Sequence, residues 1–118
     1  MTDNVTIYFN SKCSKCRLSL ELLEKQGQQT EVVEYLNTPP DAATLESILN
    51  MLGLEPRELM RKHEKEYTEA GLENPELVRA ELIAAMVKYP RLIERPIVVK
   101  DGQAVIGRPP ELILALLK

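Results

Sequence analysis

The chain has 118 residues, of which 44% are hydrophobic, so it can bury an ordinary core as one domain spanning residues 1–118. Its formal net charge of -3 disfavours a general nucleic-acid-binding surface. No run of 18 apolar residues predicts a membrane span, and the polar N-terminus lacks a signal-peptide pattern. We therefore expect a cytoplasmic protein that binds neither nucleic acid nor membrane.

The first third of the chain predicts a strand, a helix and a second strand. Apolar residues alternate with more polar ones over 5–9, which indicates a buried strand. Helical spacing predicts a helix over about 14–26, ended by Gly27. Apolar residues at 32–35 predict the second strand. A strand–helix–strand unit of this kind implies a parallel pair with a right-handed crossover.

The middle of the chain is predicted to be helical. A capping pattern at 38–41 opens a helix that Gly53 ends. The whole stretch 55–89 is predicted to be helical, with its last helix opening at Asn74-Pro75-Glu76 and closing before Pro90.

The last part of the chain predicts a hairpin and a final helix. Strands at 96–99 and 103–106 flank Asp101-Gly102, a strong signal for a tight hairpin turn. Pro109-Pro110-Glu111 is predicted to open a leucine-rich helix. The fold class predicted from these elements is α/β, a mixed sheet flanked by helices with a helical insertion.

Two cysteines, Cys13 and Cys16, are the residues with the clearest chemical potential. Cys13 is predicted to lie where a strand gives way to a helix, and unpaired N–H groups at a helix start favour a thiolate and an oxyanion. A free thiol of pKa about 8.5 is only about 3% ionised at neutral pH, so lowering its pKa by about two units makes most of it nucleophilic. Cys13 is therefore the predicted nucleophile.

Cys16 and metal binding carry weaker predictions. Cys16 shares the apolar helix face with Leu20 and Leu23, so it is either a small core residue or a partner of Cys13. A zinc site needs two further ligands, and the single histidine, His63, is remote in sequence. We predict no metal site.

Five segments of the chain resemble the glutaredoxin-coupled arsenate reductase family, most closely its short bacterial homologues. They are Ile7-Tyr8-Phe9-Asn10-Ser11-Lys12-Cys13-Ser14-Lys15-Cys16-Arg17, Tyr35-Leu36-Asn37-Thr38-Pro39-Pro40, Glu58-Leu59-Met60-Arg61-Lys62, Leu92-Ile93-Glu94-Arg95-Pro96-Ile97-Val98-Val99 and Ile106-Gly107-Arg108-Pro109-Pro110-Glu111. The resemblance covers almost the whole chain and implies a thioredoxin-like fold.

The resemblance also implies an activity and a set of site residues. Cys13 corresponds to the cysteine that attacks arsenate, and Arg61, Arg95 and Arg108 correspond to the arginines that hold the oxyanion. Pro96 corresponds to the active-site cis-proline. No bound cofactor is implied; glutathione is the expected co-substrate, and arsenate and glutaredoxin are the other expected partners.

Two departures from the family pattern leave other functions open. The family's histidine before the active loop is Phe9 here, and the family usually lacks a cysteine at the position of Cys16. Cys16 is thus a candidate resolving cysteine. One alternative is a redox-sensing transcriptional regulator that binds RNA polymerase, although a regulator has no need of three oxyanion arginines. The other is a general thiol-disulfide oxidoreductase that uses Cys13 and Cys16.

Overall fold

A computed structural model of the chain describes residues 5–117. The chain divides into two compact units. The sheet unit comprises the described residues up to 38 and from 95 onward, and the helical unit comprises 39–94. The expected single domain over 1–118 stays a prediction.

The sheet unit contains a four-stranded mixed sheet flanked by helices, as predicted. Its strands lie in the order β2-β1-β3-β4; β1 and β2 are parallel, and the other neighbouring pairs are antiparallel. Its elements are β1 (Val5–Phe9), α1 (Ser14–Lys25), β2 (Thr30–Glu34), β3 (Ile97–Lys100), β4 (Gln103–Ile106) and a 3₁₀ helix at Pro110–Leu117.

The core of the sheet unit follows the apolar pattern of its strands and helices. Val5, Ile7 and Phe9 point to one side of β1 and are buried, whereas the residues between them are half-buried. Cys16 and Leu23 of α1 pack into the same cluster, and α1 also contacts the 3₁₀ helix. The final helix is 3₁₀ in character, whereas the sequence predicted only a helix opened by prolines.

The β3–β4 hairpin turns at Asp101 and Gly102, as predicted. Both residues have positive φ, 51° and 76°, which matches the backbone of a tight two-residue hairpin loop. Ile97 pairs with Ile106 at the open end of the hairpin. The residues just before β3 and just after β4 therefore leave the sheet at the same end.

The helical unit contains four short α-helices. They are α2 (Ala42–Leu52), α3 (Pro56–Leu59), α4 (Lys65–Glu69) and α5 (Arg79–Lys88), and a 3₁₀ turn follows at Pro90–Leu92. The Asp41 side chain accepts a hydrogen bond of 2.8 Å from the Thr44 N–H and so caps α2. Gly53, in the left-handed conformation, ends α2 as predicted.

The prediction of continuous helix over 55–89 is wrong. The chain is not helical over 60–64 and 70–78. Met60 is extended and forms an antiparallel bridge with Ile93. The Asn74 side chain accepts the Glu76 N–H in a local turn, so the last helix begins at Arg79 instead. Of all the helices over residues 5–117, none has the length and apolar character to cross a membrane.

Candidate active site

Cys13 lies at the start of α1, in the short turn that follows β1. Its N–H donates to the Asn10 carbonyl oxygen at 2.9 Å, and its own carbonyl oxygen accepts the Arg17 N–H at 3.2 Å, which begins the helix. Cys13 is the N-cap residue and keeps extended backbone angles. Its thiol is thus placed beside the N–H groups of the first helical turn, as its sequence position predicted.

The surroundings of Cys13 favour the thiolate. Burial alone raises the pKa of the Cys13 thiol, but hydrogen bonds from the Cys16 backbone and thiol and from the Arg95 guanidinium outweigh burial, so its pKa lies below the ordinary value. The side chain is only 7% exposed. The site therefore favours the thiolate form of a sulfur that has little access to water.

Arg95 and Arg108 converge on the same sulfur. Arg95 precedes β3 and Arg108 follows β4, so the antiparallel hairpin brings both to one end of the sheet. Arg108 Nη2 lies 3.7 Å from Cys13 Sγ, and Arg108 Nε donates to the Arg95 carbonyl oxygen at 2.6 Å. Two permanent positive charges thus adjoin the thiolate, an arrangement suited to a tetrahedral oxyanion.

Two prolines follow these arginines, and both peptide bonds are cis. They are Arg95–Pro96 and Arg108–Pro109. The cis geometry at Pro96 is the one the resemblance implies, and its role in the site stays a prediction. The Pro96 carbonyl oxygen accepts the Gly107 N–H at 2.9 Å, so the two proline segments are joined directly.

Cys16 is a buried neighbour of Cys13. Its side chain is fully buried, and both cysteines are free thiols. Burial raises the pKa of Cys16 to about 12; a hydrogen bond from the Asn10 backbone opposes this rise, and the contact with Cys13 adds to it. At neutral pH Cys16 is therefore a neutral thiol that donates to Cys13. Its resolving role stays a prediction.

Arg61, the third predicted arginine, belongs to the helical unit. Its backbone N–H donates to the Leu92 carbonyl oxygen at 2.7 Å. Its guanidinium pairs with Glu64 at 3.2 Å and with Glu94 at 3.8 Å. These contacts fix Arg61 within its own unit, and its share in oxyanion binding stays a prediction.

Comparison with known proteins identifies the family. The family model of the ArsC family matches residues 8–116. The chain belongs to the ArsC family. It is 52% identical to an uncharacterized protein, YfgD, of Escherichia coli (strain K12), over 99% of both chains. It is 47% identical to an arsenate reductase of Neisseria meningitidis serogroup B, over 96% of this chain and 97% of the relative.

Solved structures agree with this assignment. The structure of an arsenate reductase from Vibrio cholerae matches 98% of both chains with a TM-score of 0.93 and 47% identity. The family and the thioredoxin-like α/β fold predicted from the sequence are therefore confirmed. The coupling to glutathione and glutaredoxin stays a prediction.

One residue of this ArsC-family site had no role in the sequence analysis. Tyr35, which directly follows β2, is fully buried; burial raises the pKa of its hydroxyl to about 12, and the positive charge of Arg95 opposes this rise. The sequence could have indicated its position, because β1 and β2 are parallel and the residues that follow them leave the sheet at the same end.

In residues 5–117, no group of three or more His, Cys, Asp or Glu side chains is arranged to hold a metal ion.

Proposed function

We propose that the protein reduces arsenate to arsenite, with Cys13 as the nucleophile and glutathione and glutaredoxin as the reductants. The observation that carries this proposal is the convergence of Arg95 and Arg108 on a thiol whose pKa is lowered at a helix N-terminus. The names of its relatives in Neisseria meningitidis and Vibrio cholerae support arsenate as the substrate. No bound cofactor is needed for this chemistry.

The proposed reaction begins with attack by the Cys13 thiolate on arsenic(V). A sulfur–arsenic bond forms, and one arsenate oxygen leaves as water after protonation. The helix N–H groups and Arg95 and Arg108 neutralise the anion, and we assign Arg61 to the same task from the family resemblance. From the same resemblance we assign Pro96 the role of the active-site cis-proline.

The adduct is then reduced by a second thiol. The glutathione thiolate attacks the Cys13 sulfur and forms a mixed disulfide, while the sulfur–arsenic electron pair stays on arsenic and yields arsenite. Glutaredoxin takes the glutathionyl group by thiol exchange and restores the Cys13 thiolate.

A second candidate rests on the contact between the two cysteines. The Cys16 thiol donates to Cys13, so it is close enough to attack a Cys13 mixed disulfide once deprotonated. The protein would then act as a general thiol-disulfide oxidoreductase. The high pKa and full burial of Cys16 disfavour it as a nucleophile. They therefore favour the proposed arsenate reductase activity over the thiol-disulfide oxidoreductase.

The test is arsenate-dependent NADPH oxidation in the presence of glutathione, glutaredoxin and glutathione reductase. Cys13→Ser is expected to abolish turnover, because serine is not ionised at neutral pH. Cys16→Ser, the matched control, is expected to retain most of it. Absence of turnover in the wild type with both thiols free would contradict the proposal. Loss in both variants would assign Cys16 a reacting role, and disulfide reduction that does not depend on arsenate would favour the thiol-disulfide oxidoreductase.

A further inference from the structure

The guanidinium of Arg61 is surrounded by polar groups of the helical unit. Its Nη1 lies 3.2 Å from Glu64 Oε2, and its Nη2 lies 3.1 Å from His63 Nε2. Its Nε lies 3.8 Å from a carboxylate oxygen of Glu94. The side chains of Arg61 and Glu64 are only 14% and 13% exposed. Every nitrogen of this guanidinium therefore already has a neighbour, and Glu64 and His63 occupy the edge formed by the two Nη atoms.

That edge is suited to a tetrahedral oxyanion. The two Nη atoms of an arginine form a planar fork that donates two parallel hydrogen bonds to two oxygens of one anion. An oxyanion bound to Arg61 in this way takes the places of Glu64 and His63. Glu64 is the stronger obstacle, because its carboxylate is itself an anion and is largely withdrawn from water.

Glu64 is shared between two arginines. Arg91 Nη2 lies 3.2 Å from Glu64 Oε1, the carboxylate oxygen opposite the one that faces Arg61. Separating a partly buried carboxylate from its partner is costly when the charge is left unpaired. Because Arg91 keeps Glu64 paired, Arg61 can exchange this carboxylate for another anion at a lower cost.

We propose that Glu64 is an internal competitor for anions at Arg61: its carboxylate occupies the Arg61 fork until a tetrahedral oxyanion displaces it, and Arg91 then retains the displaced carboxylate. The inference rests on the proposed function in assigning Arg61 to the oxyanion. It adds that Glu64 lowers the affinity of this arginine for anions.

The test is calorimetric titration of reduced wild type and Glu64→Gln with sodium sulfate at constant ionic strength. Sulfate is tetrahedral and these thiols do not reduce it, so the titration reports binding alone. We expect the sulfate Kd of Glu64→Gln to fall by about two- to fivefold, the size expected for one partly exposed ion pair. The matched control Glu69→Gln removes the same charge from an exposed position of α4 and should leave Kd nearly unchanged. An unchanged or raised Kd in Glu64→Gln would overturn the proposal.

A double-mutant cycle locates the effect in Arg61. Arg61→Gln should weaken sulfate binding, and in that background Glu64→Gln should give no further gain in affinity. Unchanged binding in Arg61→Gln, or an equal gain in both backgrounds, refutes the competition. If Glu64→Gln does not fold, Glu64→Asp shortens the side chain by one methylene and draws the carboxylate away from Arg61. A smaller fall in Kd is then expected, and no fall contradicts the proposal.

The role of Arg91 has its own test. Arg91→Gln should raise the sulfate Kd, because Glu64 then loses the second arginine that retains it. In the Glu64→Gln background the same substitution should have a smaller effect. Lys65→Gln, which removes an exposed positive charge at the start of α4, measures the general effect of charge. An equal effect of Arg91→Gln in both backgrounds contradicts the retention of Glu64 by Arg91.

Sulfate binding separates this inference from the proposed function. Binding needs neither the Cys13 thiolate nor glutathione, so a lower Kd in Glu64→Gln supports the competition even if arsenate turnover is absent. Where turnover is present, Glu64→Gln should lower KM for arsenate with little change in kcat, because the competition acts on binding. Arsenate turnover with an unchanged sulfate Kd in Glu64→Gln refutes only the role of Glu64.

Discussion

Gly107 allows the segment that carries Arg108 to pack closely against its neighbours. A Cβ at this position would lie 2.7 Å from Ser19 Oγ, 2.9 Å from Pro96 Cγ and 3.3 Å from Ile113 Cγ2. The first two distances are shorter than side chains tolerate. Only glycine therefore fits where β4 leads into Arg108.

We expect Gly107→Ala to lower the free energy of unfolding by about 1–3 kcal/mol, the usual cost of overpacking a core. Urea unfolding measures the change. Ser19→Ala is the matched relief variant, because the Ser19 hydroxyl is fully buried and has no hydrogen-bond partner among the described residues. The double variant should regain part of the loss. Equal stability of Gly107→Ala and wild type would contradict the packing argument.

The two residues that flank α2 show how far local sequence determines an element. Asp41 caps the first turn, and Gly53 ends the helix with φ of 69°, a left-handed conformation. A Cβ on Gly53 would meet nothing within 4 Å. Glycine is therefore favoured there by the backbone conformation and not by close contact with neighbouring atoms.

Gly53→Ala should lower the free energy of unfolding by about 1 kcal/mol, because an L-residue is strained in the left-handed region. Gly53→Asn is the matched control, since asparagine tolerates that region and should recover much of the loss. Both are compared by urea denaturation. If alanine and asparagine proved equally costly, the conformational explanation would fail.

The elements that the sequence predicted are those with local signals. Alternation predicted β1, Asp101-Gly102 predicted the hairpin, and Gly53 predicted the end of α2. The interruptions of the predicted helix over 55–89 depend on contacts between residues that lie far apart in the sequence. The Arg57 guanidinium binds the carbonyl oxygens of Leu72 and Asn74, and so satisfies backbone groups that a helix would otherwise use.

The residues of the candidate active site also differ in how far the sequence predicts them. Cys13 could be predicted from its place between a strand and a helix, whereas Arg95 and Arg108 were predicted only from the family resemblance. The hairpin register explains their convergence, but spacing alone does not reveal which arginines meet. Tyr35 was missed because Arg95, whose charge acts on it, is remote in sequence and comes near it only once the sheet has formed.

The stability of the whole protein should depend on alkaline pH through two buried acids. The pKa of Cys16 and that of Tyr35 are both raised to about 12 in the folded chain, chiefly by burial. In the unfolded chain the pKa of Cys16 is about 8.5 and that of Tyr35 is about 10. Between those values and pH 12 the unfolded state has lost protons that the folded state keeps, so folding becomes less favourable as pH rises.

We therefore expect the free energy of unfolding to be fully retained below about pH 8 and to fall toward pH 12, by about 1.4 kcal/mol per pH unit for each group. Cys13 adds no slope well above its unfolded pKa of about 8.5, because it is then ionised in both states; below that pH its lowered folded pKa makes stability rise with pH. Urea unfolding in reductant from pH 7 to 11 measures the slope. Cys16→Ala should show a shallower decline, and an identical slope would contradict this account.

Because β2 lies at the edge of the sheet, it could pair with a strand from a second copy of the protein. Among the described strands it ends the sheet, and its Val32 is 42% exposed. Such a strand can recruit an identical strand from another molecule. Glu31 and Glu34 are both exposed on it, so pairing of two copies would bring like charges into neighbouring rows. The two like charges therefore disfavour growth of a fibril by stacking of β2 strands.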